Sequence, residues 1–181
     1  SDVCSSDLVS TTEHNDADVA FASDMITHHA QALSMVDLTL KRELDPEVQA
    51  LAEDIRDAQG PEIETMADWL TKWGEDVPAT MRDHVNSGHD MGDMSDTMDD
   101  MGHDDMPGMM TAEEMNELED APDSDFQDMW LEMMVEHHEG AIEMAETEQA
   151  DGQFKDAVDL AGQIIDAQKQ EIETMKDLLG S

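Results

Sequence analysis

The chain repeats itself at one fixed offset, and this limits the folds open to it more than any other feature. Met25, His28, His29, Ala32 and Met35 recur as Met134, His137, His138, Ala141 and Met144. Ile55, Gln59, Glu62, Ile63 and Met66 recur as Ile164, Gln168, Glu171, Ile172 and Met175. Both blocks are displaced by the same distance (134 − 25 = 109 and 175 − 66 = 109). Two blocks per copy at one spacing mean a duplicated unit of two elements, with no insertion between the blocks.

Each block reads as a helix. Along 16–42, Phe21, Met25, His28, His29, Ala32, Met35 and Val36 recur at three- and four-residue steps and share one face. Trp130, Met134, His137, His138, Ala141, Met144 and Ala145 repeat that stripe in 124–150. Asp45 before Pro46 reads as an N-cap with proline at the first helical position, opening a helix over about 46–73. Ser124 with Gln127 fits a capping box for the third helix. Asp151-Gly152 turns the chain into a fourth, over about 153–179. Gly60-Pro61 is replaced by Lys169-Gln170 in the other copy, so it reads as a kink and not a stop. Aromatics are only 3% of the chain and tyrosine is absent, so aliphatics, alanine and methionine must fill the interior. The chain is rich in Ala, Leu, Met, Glu and Gln, which are helix formers. The expected fold is all-α: a four-helix bundle of two repeated hairpins, 16–73 and 124–181. Between them lies an acidic, Met- and His-rich connector, 74–123, which a short helix near 112–119, opened by Thr111 and Glu114, closes.

Charge narrows the functions. Asp and Glu number 47 against 8 Lys and Arg, a formal net charge of −39. Such a surface repels nucleic acid and anionic membranes, both of which are bound through Lys and Arg. A salt-loving source explains it most simply, and the acids form a solvated face without marking a calcium site. Cys4 stands alone, so no disulfide forms within the chain. It lies in an opening stretch resembling sequencing-adapter read-through, and 1–15 is set aside as disordered or non-native, with any native export signal missing from it. No apolar run approaches the roughly 18 residues of a membrane-spanning helix.

The chemistry concentrates on the paired histidines. His28-His29 and His137-His138 fall on the stripe that should be buried, with Met25, Met35, Met134 and Met144 at helical spacing on either side. Imidazole and thioether are a borderline-to-soft ligand set that suits copper(I) and silver and is wrong for magnesium or calcium. A lone buried histidine is ordinarily a hydrogen-bonded core residue, but four in two identical contexts favour metal binding. Methionine at helical spacing is ordinarily core filler, so Met66 and Met175, like the other four, are ligands only in company with the histidines. Gln59, Glu62, Gln168 and Glu171 fall on or beside the second and fourth stripes. Each Glu either orients a facing histidine, ligates directly, or is a solvated edge. In the connector, His84, His89, Met91, Met94, Met98, Met101, His103, Met106, Met109 and Met110 alternate with Asp and Gly. That composition argues for disorder with weak soft-metal capture, and for tolerance of a deletion of 84–108. Phosphate loops, serine elbows, paired Cys-x-x-Cys knuckles and His-Glu-x-x-His are absent.

Phe21, Met25, His28, His29, Ala32 and Met35, with their second copy and with the Gln-x-x-Glu-Ile-x-x-Met motif after each, resemble the domain of unknown function 305 family. Copper-binding proteins of the CopM type are members. The resemblance covers nearly all of 16–179 and includes Met106-Pro107-Gly108-Met109-Met110-Thr111-Ala112-Glu113-Glu114-Met115 as the lead-in to the second half. It implies a ferritin-like bundle, exported to the periplasm or secreted, with His28, His29, His137 and His138 and nearby methionines as ligands. Trp130 stands where the first copy has phenylalanine, and Thr27 and Glu136 where a proline often precedes the histidines. Neither change removes a ligand. The expected function is soft-metal sequestration, trafficking or tolerance, with copper(I) foremost and copper(II) or silver as other cargo. Catalysis and membrane insertion are not expected; a copper-transfer partner or a homo-oligomer is compatible. The alternative is a ferritin-like di-metal iron oxidase or storage bundle using His and Glu, although the Glu-x-x-His pairing of such bundles is missing.

With few bases to pair, self-repulsion weakens the fold once screening is removed, because exposed charges are screened over about 10 Å at 0.1 M salt. Thermal unfolding followed by helical circular dichroism should show a midpoint that falls from molar to millimolar KCl. A midpoint indifferent to salt would count against a halophilic surface.

Overall fold

The computed structural model describes residues 13–79 and 106–180. These form five helices: α1 Asp16–Thr39, α2 Pro46–Trp73, α3 Ala112–Asp120, α4 Asp123–Asp151 and α5 Lys155–Leu179. α1 packs along α2, α4 along α5, and the two hairpins meet chiefly where α1 lies against α4. α1 and α4 run antiparallel. At one end Asn15 Nδ2 donates to the Asp151 carbonyl at 2.9 Å. At the other, Gln127 accepts the Asp45 N–H at 3.0 Å and donates back to the Asp45 carboxylate at 2.9 Å.

The helix starts differ from expectation in instructive ways. α1 opens with a reciprocal capping box between Asn15 and Asp18, and Thr111 Oγ1 accepts the Glu114 N–H at 3.1 Å to open α3. Ser124 caps nothing: α4 begins at Asp123 after Pro122 with no side-chain cap, because Gln127 is engaged with the α1–α2 turn. Asp45 occupies the N-cap position of α2 without a capping bond, its carboxylate being turned to Gln127. α2 continues across Pro61, which faces solvent on its outer side. α5 starts at Lys155, later than expected, and the Gln153 and Phe154 amides just before it donate to Asp18 at 3.0–3.1 Å.

Two apolar cores result. One gathers Met35, Val36, Leu51, Ile55, Phe126, Trp130, Met134 and Met175. The other gathers Phe21, Met25, Ile26, Met66, Leu70, Ala145, Ile164 and Ile165. Trp130 is wholly buried and its indole N–H donates to the Met35 carbonyl at 2.8 Å, so the larger ring of the second copy ties α4 to α1. Arg42 closes the same end, donating to Asp123 at 2.9 Å and to the Ala121 and Glu119 carbonyls, with its guanidinium 4.4 Å from the centre of the Phe126 ring.

The opposite end holds a buried carboxyl pair. Asp18 and Glu148 are 0% and 1% exposed. Asp18 accepts the Asn15, Gln153 and Phe154 amides, whereas neither Glu148 oxygen meets an N–H or O–H donor. Two ionised carboxylates in this setting would repel, and a proton on Glu148 donated to Asp18 removes the conflict. Burial first, then the bond to Asp18 and the charges of Asp18 and Asp151, push the Glu148 carboxyl up to about 9. Burial opposes ionisation of Asp18, but the bonds from Glu148 and the three amides outweigh it and hold Asp18 below its ordinary value.

The two groups act on stability with opposite sign. The contribution of Glu148 is full below its ordinary 4.5 and is lost as pH rises through about 9. That of Asp18 is present above 3.8 and is lost as pH falls through its depressed value. Glu148→Gln keeps an N–H donor that cannot ionise. Its melting temperature relative to the wild type should therefore rise steadily from about pH 5 to about pH 9. A constant difference across that range would show that Glu148 carries no proton.

Candidate metal centre

The four histidines sit where α1 crosses α4, between the two apolar cores. Each pair is preceded by a buried methionine, since His28 and His29 follow Met25 by one helical turn and His137 and His138 follow Met134 likewise. All four are at most 1% exposed. The rings of His28 and His137 meet across the crossing with centroids 3.7 Å apart and planes tilted by 36°. His29 Nε2 lies 3.5 Å from Glu62 Oε1, and His138 Nε2 lies 2.5 Å from Glu171 Oε2. These contacts are related by the offset of the repeat (138 − 29 = 171 − 62 = 109). The second-block carboxylates thus reach the first-block imidazoles in both halves.

Most ring nitrogens in this layer lack a hydrogen-bond partner. Nδ1 of His28, His29 and His138 and Nε2 of His29 and His137 are buried and unbonded, as are the amide oxygens of Gln59 and Gln168. Such groups cost about 1–3 kcal/mol each to bury and in native proteins call for an explanation. Burial, reinforced by the neighbouring imidazoles, lowers His28 to about 3 and holds His137 well below its ordinary 6.5. Both rings are therefore neutral at physiological pH and carry a free lone pair, the state a metal ligand needs.

The other expected ligands divide. Met25, Met35, Met66, Met134 and Met175 are fully buried, and Met144 is half-buried beside the second core. Glu62 and Glu171 lie at the rim of the layer. His84, His89, Met91, Met94, Met98, Met101 and His103 lie outside the described residues. Among the described residues no three His, Cys, Asp or Glu side chains converge in the geometry of a metal site. Imidazole with thioether is a donor combination that suits a soft, low-coordinate ion.

One part of the connector is not what composition led us to expect. Met106–Met110 packs over α4, with Met110 buried. The Gln31 amide grips the Met110 backbone in both directions at 2.8 Å. The Pro107 carbonyl lies 3.1 Å from His28 Nε2. A deletion of 84–108 would cut into this strap. Nothing in its sequence signals a backbone partner for His28. The repeat held one clue: Gly140 stands where the first copy has Gln31, and a Cβ at Gly140 would lie 2.0 Å from the Pro107 oxygen.

With this geometry in view, the comparisons are specific. The family described as domain of unknown function DUF305 matches residues 18–179, and the chain belongs to it. A crystal structure of a DUF305 fragment from Deinococcus radiodurans is 28% identical, with a TM-score of 0.72, covering 92% of this chain and 97% of its own. A DUF305 protein from Streptomyces coelicolor, described as a candidate secreted protein, is 32% identical with a TM-score of 0.73, at 91% and 92% coverage. CopM in its Cu(II)-bound form is 27% identical with a TM-score of 0.69, at 90% and 95% coverage. A search of curated protein sequences finds no match.

An imidazole kept for ligation differs from one kept for packing in what its loss does to stability. Replacing His137 by Leu removes a buried, unbonded nitrogen and retains apolar volume, so the metal-free protein should change by no more than about 1 kcal/mol in urea unfolding. A loss of about 3 kcal/mol or more would mark the ring as structural.

Proposed function

We propose that this protein binds a soft metal ion, copper(I) foremost and silver or copper(II) as further cargo, to sequester it or pass it on, and that it is not an enzyme. The carrying observation is the layer of four buried imidazoles with free lone pairs in two methionine-bracketed copies. Further support comes from CopM, which shares the fold and has been crystallised with Cu(I), Cu(II) and Ag. In this reading the chain is a ferritin-like four-helix bundle. His28, His29, His137 and His138 supply nitrogen, and the flanking Met25, Met35, Met134 and Met144, with Met66 and Met175 from the facing helices, supply sulfur. Glu62 and Glu171 orient His29 and His138, a role whose loss at metal sites typically costs about 10–100-fold in affinity. The protein works outside the cytoplasm, consistent with the Streptomyces relative. Among the described residues no helix is long and apolar enough to cross a membrane.

The same Glu62 and Glu171 contacts favour, as a second reading, a di-metal iron centre with His and Glu ligands. One set of measurements separates the two. Replacing His28, His29, His137 and His138 together by Asn or Gln should leave the helical signal intact while abolishing the tightest sites in competition with a copper(I) chelator. An unchanged competition curve would return the histidines to the core. Catalytic oxidation of Fe(II) by a wild-type sample that ignores copper(I) would establish the iron reading instead.

A further inference from the structure

The repeat relates the two histidine pairs, yet the strap treats them differently. A carbonyl can only accept a hydrogen bond, so the Pro107 oxygen, 3.1 Å from His28 Nε2, requires the proton on that nitrogen. The lone pair of His28 is then on Nδ1, which is buried and unbonded. In His137 the unbonded atom is the other one, Nε2. The two rings, tilted by 36° across the crossing, thus leave different nitrogens unbonded.

What holds the strap is equally one-sided. Gln31 of α1 clips Met110 through both the N–H and the carbonyl, each at 2.8 Å, in a buried setting. Its counterpart in α4 is Gly140, whose missing side chain leaves room for Pro107. Gly108 completes the crossing: it has φ +75°, and a Cβ there would approach the Glu136 carbonyl to 2.6 Å. The strap therefore has one seat, fixed by a backbone clip at one end and a glycine crossing at the other.

We infer that Gln31 and Gly140 are positioning residues: they seat the Met106–Met110 strap so that the Pro107 carbonyl locks His28 as an Nδ1 donor, while His137 donates through Nε2. This inference rests on the soft-metal reading for its ligand, but not for the tautomer of the metal-free protein. The strap thereby makes two sequence-equivalent histidines chemically unequal, and it couples the connector to the metal layer.

Nitrogen-15 NMR of the histidine rings tests this on the full chain. Without metal, His28 should appear as a fixed Nε2–H tautomer. In Gly140→Val, and in Gln31→Leu should the former fail to fold, it should become a mixture of tautomers in exchange. An Nδ1–H tautomer in the wild type, or strap variants that leave His28 unchanged, would overturn the assignment. On adding Ag(I), the expected shifts are at Nδ1 of His28 and Nε2 of His137. A shift at His28 Nε2 would sink the inference while leaving the soft-metal reading intact. No histidine shift with Ag(I) would sink that reading and the ligand assignment together, with the tautomer result standing apart from both.

Discussion

The burial of four imidazoles at the α1–α4 crossing is the constraint on which the rest depends. Apolar side chains could fill that layer at lower cost, since unbonded polar atoms in a dry interior oppose folding. The protein instead divides its core in two. The aliphatic, aromatic and methionine clusters on either side carry the stability, and the layer between them is left with lone pairs to spare. Stability given up at one place and secured elsewhere is the usual signature of a functional site. Burial also favours the neutral form of His28 and His137, the form that the proposed metal binding would need.

The acidic shell and the core follow separate physics. A formal charge of −39 has few bases to pair with. Arg42 is the most deeply engaged, spanning the α1–α2 turn, the α3–α4 junction and the Phe126 ring. At the other end no base is used: burial and the neighbouring Asp18 push the Glu148 carboxyl up to about 9, which favours its protonated form beside Asp18. The Asp18–Phe154 and Gln127–Asp45 contacts occupy corresponding places: residue 18 or its counterpart 127 receives the amide of residue 154 or its counterpart 45. Gln127 can donate as well as accept and needs no helper, whereas Asp18 accepts only and is joined by a protonated neighbour.

Duplication gives this molecule a near two-fold plan, and its exceptions carry the information. Trp130 for Phe21 places an indole N–H on the Met35 carbonyl. Gly140 for Gln31 opens the seat of the strap. Symmetric contacts such as His29–Glu62 and His138–Glu171 belong to the shared unit, while the asymmetric ones tie the connector to that unit and differentiate its two halves.

Much of this was legible in the chain itself. Period and duplication determined the helical class, the helix spans to within a few residues, the buried stripe and the paired histidines on it, because helical spacing is a local property that survives any packing. Local signals also failed where a distant partner took the same group: Gln127 bonds Asp45 and not Ser124. Met106–Met110 read as acidic linker since its anchors are backbone groups, which composition does not encode. Only the tertiary structure could decide that Pro107 meets His28, that Glu148 meets Asp18, and that the two histidine pairs face one another. These contacts join residues 79, 130 and 109 positions apart (107 − 28, 148 − 18 and 137 − 28), and no local energy term relates groups so far separated along a chain until the helices have packed.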